Sequence, residues 1–431
     1  MEKRNEAAMT DNGTLLKLLR SEVVPAMGCT EPAASALAGA KAREYLEGDV
    51  AEVRIAASRD MVKNAMGVGI PNCPHKGIAV AVALGVAGGD SSKKLNILSN
   101  VSPEMVERAS ALKTELEMVR DVPALYVEVT LKSDTGHTAS VAISGEHDSF
   151  SRIVVDGKTL VENGATCYSN TRTTTYFDGI SLKDIVDFAD TVDVADLDFL
   201  RTAISENMKI ARYSIKHRYG LQVGRVMSEG IDRPADLDQA FRLGSAYAAA
   251  GSDARMSGCT MPVYINSGSG NQGMTVTIPV RVVGDFLGLP EDRILRAACV
   301  SELVGLMLTE KKNRLSALCG AFTASIGTAC AYAYLMGGDS AVMDKAINTM
   351  VANLTGIICD GAKKTCALKI YSCLEAAAMS VKLAFNGNAP DECGIVGADS
   401  GDSISNLSKI TSEGMEETDQ TIYSILVDSQ K

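Results

Sequence analysis

The sequence has no tryptophan, only 4 histidines in 431 residues, and no Cys-x-x-Cys pair. Each absence closes a route. Few imidazoles starve the mixed Cys/His zinc sites. His75, His137, His147 and His217 stand in no i, i+4 or HExxH setting, so each reads as a surface or structural residue. Without CxxC, zinc ribbons, thioredoxin-like exchange and ferredoxin-type clusters lose their spacing. GxSxG is missing, so a Ser–His–Asp reading has no nucleophile elbow. Positive charge is also short: 42 Lys and Arg against 53 Asp and Glu leave −11. With no basic, aromatic-laced patch, a sequence-independent grip on nucleic acid is excluded, because that grip needs clustered cations on phosphates. The first 16 residues mix both charges and lack the roughly 7–15-residue apolar stretch of a signal peptide, which points to the cytoplasm.

What is plentiful is thiol. The 11 cysteines form an odd set, and in a reducing compartment disulfides are not their expected use, which leaves burial, metal or catalysis. A chain of this length exceeds the roughly 250–300 residues at which single cores stop growing, so two or three domains are expected. At 46% hydrophobic and 22% charged it has the composition of a folded globular protein. Leu315 to Gly338 carries no charge and is long enough to span a bilayer. Gly320, Thr323, Ser325, Gly327, Thr328 and repeated alanines dilute it, so it reads as a buried small-residue helix and no membrane association is expected.

Periodicity divides the chain into 1–48, an N-terminal helical segment packing on the C-terminal part; 49–180, an α/β domain; and 181–431, a mainly helical domain. The class is α+β. Alternating or β-branched runs at Val50 to Ala57, Ala124 to Lys132, Thr138 to Ser144 and Ser151 to Thr159 read as strands, the last with an Asp156-Gly157 turn signal. Helices are expected at Ala33 to Tyr45, Gly77 to Gly88, Leu182 to Ala189, Leu197 to Ile215 and Leu237 to Ala250. Gly251 to Pro279 reads as loop-rich, Glu291 to Leu383 as helices broken at glycines, and Thr421 to Val427 as a short amphipathic or strand segment.

Three features carry chemistry. Cys359, Cys366 and Cys373 recur every seven residues, one stripe of a helix, which suits either a core seam or soft-metal ligands. Cys319 and Cys359 stand near Gly320 and Gly361, where backbone approaches something bulky. Asn266-Ser267-Gly268-Ser269-Gly270-Asn271-Gln272-Gly273 offers free N–H groups and neutral donors, suited to a small anion, without a Walker lysine or strand-GxGxxG-helix setting. Cys29 precedes an expected helix N-terminus, which favours a thiolate. Lys63-Asn64 precedes a Gly-rich turn that faces the same pocket or leaves the lysine as a solvated charge.

GCTEPAA (Gly28 to Ala34), KNAMGVGIP (Lys63 to Pro71), NSGSGNQG (Asn266 to Gly273), LSALCG (Leu315 to Gly320) and ICDGAKKTCALK (Ile358 to Lys369) together resemble the L-cysteine desulfidase family, related to the α chain of bacterial L-serine dehydratase. The resemblance implies a [4Fe-4S] lyase that converts L-cysteine to pyruvate, ammonia and hydrogen sulfide without pyridoxal phosphate. It puts the cluster ligands at Cys319, Cys359 and Cys366 and the base at Cys29, with Cys29 as third ligand and Cys366 a neighbour on the cysteine seam as the other option. The substrate carboxylate would meet the 266–273 loop (Asn266, Ser267, Ser269, Asn271, Gln272) and Arg255, with Lys63 and Asn64 alongside. Cys73, in PNCPHKG, departs from the family pattern and leaves the roles of Cys73 and His75 open. Rival readings are an iron–sulfur L-serine dehydratase and a non-enzymatic iron–sulfur sensor in which four thiols close every position. A homo-oligomer is one option for assembly.

Overall fold

The computed structural model describes residues 13–163, 176–312 and 316–428. It has a sheet-bearing half and a helical half, the expected α+β class. Strands β2 (Val50–Ser58), β3 (Thr114–Val119), β4 (Tyr126–Ser133), β5 (Thr138–Ser144), β6 (Phe150–Val155) and β7 (Lys158–Glu162) form a sheet of order β3-β2-β4-β5-β6-β7. β4 alternates intermediate with buried positions, the pattern of a sheet with one covered face. The Asp156-Gly157 signal is a true hairpin turn: Val155 pairs Lys158, and one expected strand becomes two. β3 carries Glu115 and Glu117 on an exposed edge, and its parallel pairing with β2 follows a long helical crossover.

The sheet's covered face packs against helices Thr30–Tyr45 and Ile78–Gly88, whose Ala and Val side chains join Val127, Val129 and Val141 in one core. Of the 1–48 stretch, Leu15, Leu18 and Leu19 join the helical core instead, while Ala33 to Leu46 belong to the sheet core. A short ribbon joins the halves: β1 (Pro25–Met27) pairs antiparallel with β8 (Pro262–Tyr264).

The helical half is built from helices buried almost all round. Glu291–Lys311 and Gly320–Leu335 show the case, the latter with 15 of 16 residues buried. This is the fate of the charge-free stretch, and among the described residues no helix is long and apolar enough to cross a membrane. The expected loop from Gly251 to Pro279 is largely helix: Leu237–Met256 runs past Gly251, and Gly270–Phe286 contains Pro279. A proline there cannot bond to the carbonyl four residues back. Thr328 Oγ1 donates to that freed Thr275 carbonyl at 2.8 Å instead. The C-terminal segment is a helix, Glu416–Asp428, not a strand.

Candidate active site

A cavity of about 520 Å³ lies where the two halves meet. Among the described residues four helix N-termini reach it. Cys29 caps Thr30–Tyr45, Ser269 caps Gly270–Phe286, Cys319 caps Gly320–Leu335, and Cys366 is the first residue of Cys366–Phe385. Each such end carries unpaired N–H groups and roughly half a positive charge, so the wall favours anions before any side chain is counted.

The thiols are brought together by backbone pairing. Cys319 N–H donates to the Ile357 carbonyl at 2.9 Å and Cys359 N–H to the Ala317 carbonyl at 2.6 Å, a two-way bridge that sets the sulfurs side by side. Cys366 is held by the turn above it, its sulfur accepting from Lys363 N–H at 3.4 Å. Lys369 ties the 358–360 segment to the last of these helices, donating to the Ile358 carbonyl at 2.7 Å and Asp360 Oδ1 at 2.6 Å. Gly361 takes φ +96°, and a Cβ there would lie 2.3 Å from the Lys63 carbonyl oxygen, so only glycine lets these segments touch.

Charge is graded across the thiols. Cys319 donates to Cys359, which with nearby Lys63 and Lys312 pulls the Cys359 thiol down into the thiolate range. The same hydrogen bond, with burial, pushes Cys319 up, and burial pushes Cys366 up. Lys312 lines the cavity, and burial lowers its affinity for a proton. Lys63 stands behind the wall, 2.6 Å from Asp419 and 3.2 Å from Asp60. Burial alone would lower it, but Asp60, Cys359 and Asp419 outweigh that and hold it charged.

Beside Cys29, Arg255 is buried, with Nε donating to the Gly28 carbonyl at 2.9 Å and Nη1 to Asn271 Oδ1 at 3.3 Å. A Cβ at Gly270 would come within 2.6 Å of that Nε, so the glycine makes room for the guanidinium. Ser267, Ser269, Asn271 and Gln272 line the same side; Gln272 accepts from Thr309 Oγ1 at 3.0 Å. Asn64 also lines the cavity and donates to Glu31 Oε1 at 3.3 Å. Cys29 Sγ donates to Glu31 Oε2 at 2.9 Å.

Burial, with Glu31 beside it, pushes Cys29 well up, the reverse of the thiolate expected from its helix end. The dipole effect is worth about 0.3–1 kcal/mol at an exposed site, less than burial beside a carboxylate. Burial would raise Glu31 too, but His147, the Cys29 hydrogen bond and Arg255 prevail and keep it ionised.

Two expected substrate contacts are not at the cavity surface. Lys63 is consumed by its aspartates, as above. Asn266 is fully buried and donates to Glu302 Oε2 at 2.6 Å, which anchors the turn from behind. Cys29, Asn64, Arg255, Ser267, Ser269, Asn271, Gln272, Cys319, Cys359 and Cys366 all reach the cavity. Glu31, His147 and Lys312 line it as well and were not singled out from the sequence; for Glu31 the signal was its place in the first turn after Cys29.

A family model described as serine dehydratase alpha chain matches residues 92–424. The chain belongs to the serine dehydratase alpha chain family. It is 36% identical over 427 residues to a UPF0597 protein of Aeromonas salmonicida, covering 98% of each chain. It is 38% identical over 423 residues to a UPF0597 protein of Clostridium perfringens, covering 96% of this chain and 98% of that one. A UPF0597 protein of Bacteroides fragilis is 36% identical over 418 residues, with 96% and 97% covered. Serine dehydratase alpha chains are lyases of a generally iron–sulfur-dependent family.

The donor set fits that dependence. Among the described residues no three His, Cys, Asp or Glu side chains converge as around a single ion. What the wall offers instead is three thiols on one cavity, with Cys319 and Cys359 paired, cations behind them and helix ends at the wall, which suits an anionic thiolate-held cluster. Ser316 Oγ, buried on the same wall, has no hydrogen-bond partner among the described residues and is available to a bound group.

Proposed function

We propose that the protein is a cytoplasmic L-cysteine desulfidase, eliminating hydrogen sulfide from L-cysteine to give pyruvate and ammonia, with a [4Fe-4S] cluster held by Cys319, Cys359 and Cys366. The observation that carries this reading is the meeting of three thiols, four helix N-termini and Arg255 on one cavity. Cys319, Cys359 and Cys366 would hold the cluster, which when bound would supply Lewis acidity toward the substrate sulfur.

The chain's own residues do the rest. Arg255, with Ser267, Ser269, Asn271 and Gln272, takes the carboxylate and fixes Cα. Cys29, at the end of the neighbouring helix, removes the Cα proton. Sulfide leaves from Cβ, and the released aminoacrylate tautomerises and hydrolyses in water.

The test is anaerobic purification. About four irons and four sulfides per chain, with sulfide and pyruvate formed from L-cysteine, are expected. Pyruvate from L-serine with no sulfide from L-cysteine transfers the assignment to a dehydratase. A loaded cluster with neither activity transfers it to a sensor. Cys29→Ser is expected to keep its iron and lose roughly 100-fold in kcat, the scale of a general base; loss of iron in that variant makes Cys29 a ligand instead.

A further inference from the structure

Apart from Cys319, Cys359 and Cys366, the cavity holds one contact that the elimination as described leaves without a role, the carboxylate against Cys29. Cys29 Sγ donates to Glu31 Oε2 at 2.9 Å. The same oxygen lies 3.2 Å from Thr30 Oγ1, and Oε1 accepts from Asn64 Nδ2 at 3.3 Å. The carboxylate is buried, on the cavity wall, with Arg255 and His147 as the charges facing it. Its position is fixed by three hydrogen-bonding neighbours from two helices, Thr30–Tyr45 and Arg59–Ala65.

A sulfur that is already a hydrogen-bond donor accepts a second proton only if it releases the first. We propose that Glu31 is the positioning residue for Cys29 and receives that first proton. The Cα–H bond breaks as an S–H bond forms at Cys29. The original Cys29 S–H breaks, and an O–H forms on Glu31. The electron pair left at Cα becomes the Cα–Cβ double bond while the Cβ–S bond breaks and sulfide carries its pair away. Glu31 then returns its proton to water through the cavity before the next turnover. This rests on the elimination reading above.

The test is Glu31→Gln in the anaerobically loaded enzyme, since the amide keeps the shape but accepts no proton. Expected are full iron content, a KM within about threefold of wild type, a kcat lower by roughly 100-fold and a larger Cα-deuterium isotope effect on kcat. Glu31→Asp is expected to recover part of the rate. A readout free of turnover is the infrared S–H stretch of Cys29 in cluster-free protein, taken as the difference from Cys29→Ser; Glu31→Gln is expected to shift it.

A kcat within threefold of wild type, a raised KM with kcat kept, or an unmoved S–H band overturns the relay. So does loss of iron in both Glu31 variants, which makes the residue part of the fold. A wild type that loads iron yet forms neither sulfide nor pyruvate removes the elimination reading, whereas an active wild type with an equally active Glu31→Gln removes only the relay.

Discussion

Two sets of cysteines occupy the helical half, and they have little in common beyond the element. Cys299, Cys330 and Cys373 sit inside helices, fully buried. Burial pushes all three thiols up, Cys373 to about 12. Cys319, Cys359 and Cys366 sit where helices begin or the chain turns, facing a cavity with lysines behind them. The first set are small apolar residues; in the second Cys359 is pulled down into the thiolate range beside Lys63 and Lys312, while Cys319 and Cys366 stay raised. What separates them is the unpaired N–H groups and cations nearby, not the thiol.

Cys319→Ala is the hardest blow to this contrast: iron content and all lyase activity are expected to vanish, read by metal analysis and the visible spectrum under anaerobic conditions. A fully loaded, active variant would sink the ligand assignment.

Glu302 tests whether burial without a cavity behaves as claimed. It is completely buried with its carboxyl raised to about 8, because burial disfavours the charge and only Asn266 offsets it. The folded chain therefore holds the proton more tightly than the unfolded one. The resulting stability is whole below the ordinary carboxylate range and is lost as pH rises through about 8. Wild type is expected to lose on the order of 4 kcal/mol across that window, and Glu302→Gln to flatten the loss. Parallel urea melts at pH 5 and pH 9 decide it.

Gly361→Ala meets the Lys63 carbonyl and a left-handed φ together. About 2–3 kcal/mol of destabilisation is expected, with iron loading reduced rather than abolished. The smallest effect belongs to the core set. Cys373→Ala is expected to cost about 1 kcal/mol and leave iron and kcat untouched; iron loss there would erase the distinction between the two groups.

The sheet half was the more readable. Strands such as β4 and β5 bury one face, so their side chains alternate, and the Asp156-Gly157 turn announces itself. Helices buried all round leave no periodic stripe, and the N-cap and first turn of Gly270–Phe286 are made of the Ser, Gly and Asn that also make loops. That is why a helix was expected to be a loop, although Ser269, Asn271 and Gln272 at its start do line the cavity. At the site, thiols and Arg255 were legible by type and motif. Lys63 was not, because the aspartate that buries it lies at position 419, on a helix no local pattern connects to it. His147 reaches the cavity from the turn after β5, and nothing near it in sequence marks that destination.

The β1–β8 ribbon also sets a timetable. Residues 25–27, which carry Cys29 just behind them, have no partner until residues 262–264 have been made. At about 5–20 residues per second that delay is on the order of tens of seconds. Cys366 follows roughly a hundred residues later still, so the cavity wall cannot close until residue 366 has been made. The first-made thiol of the site is the one that waits longest for its neighbours.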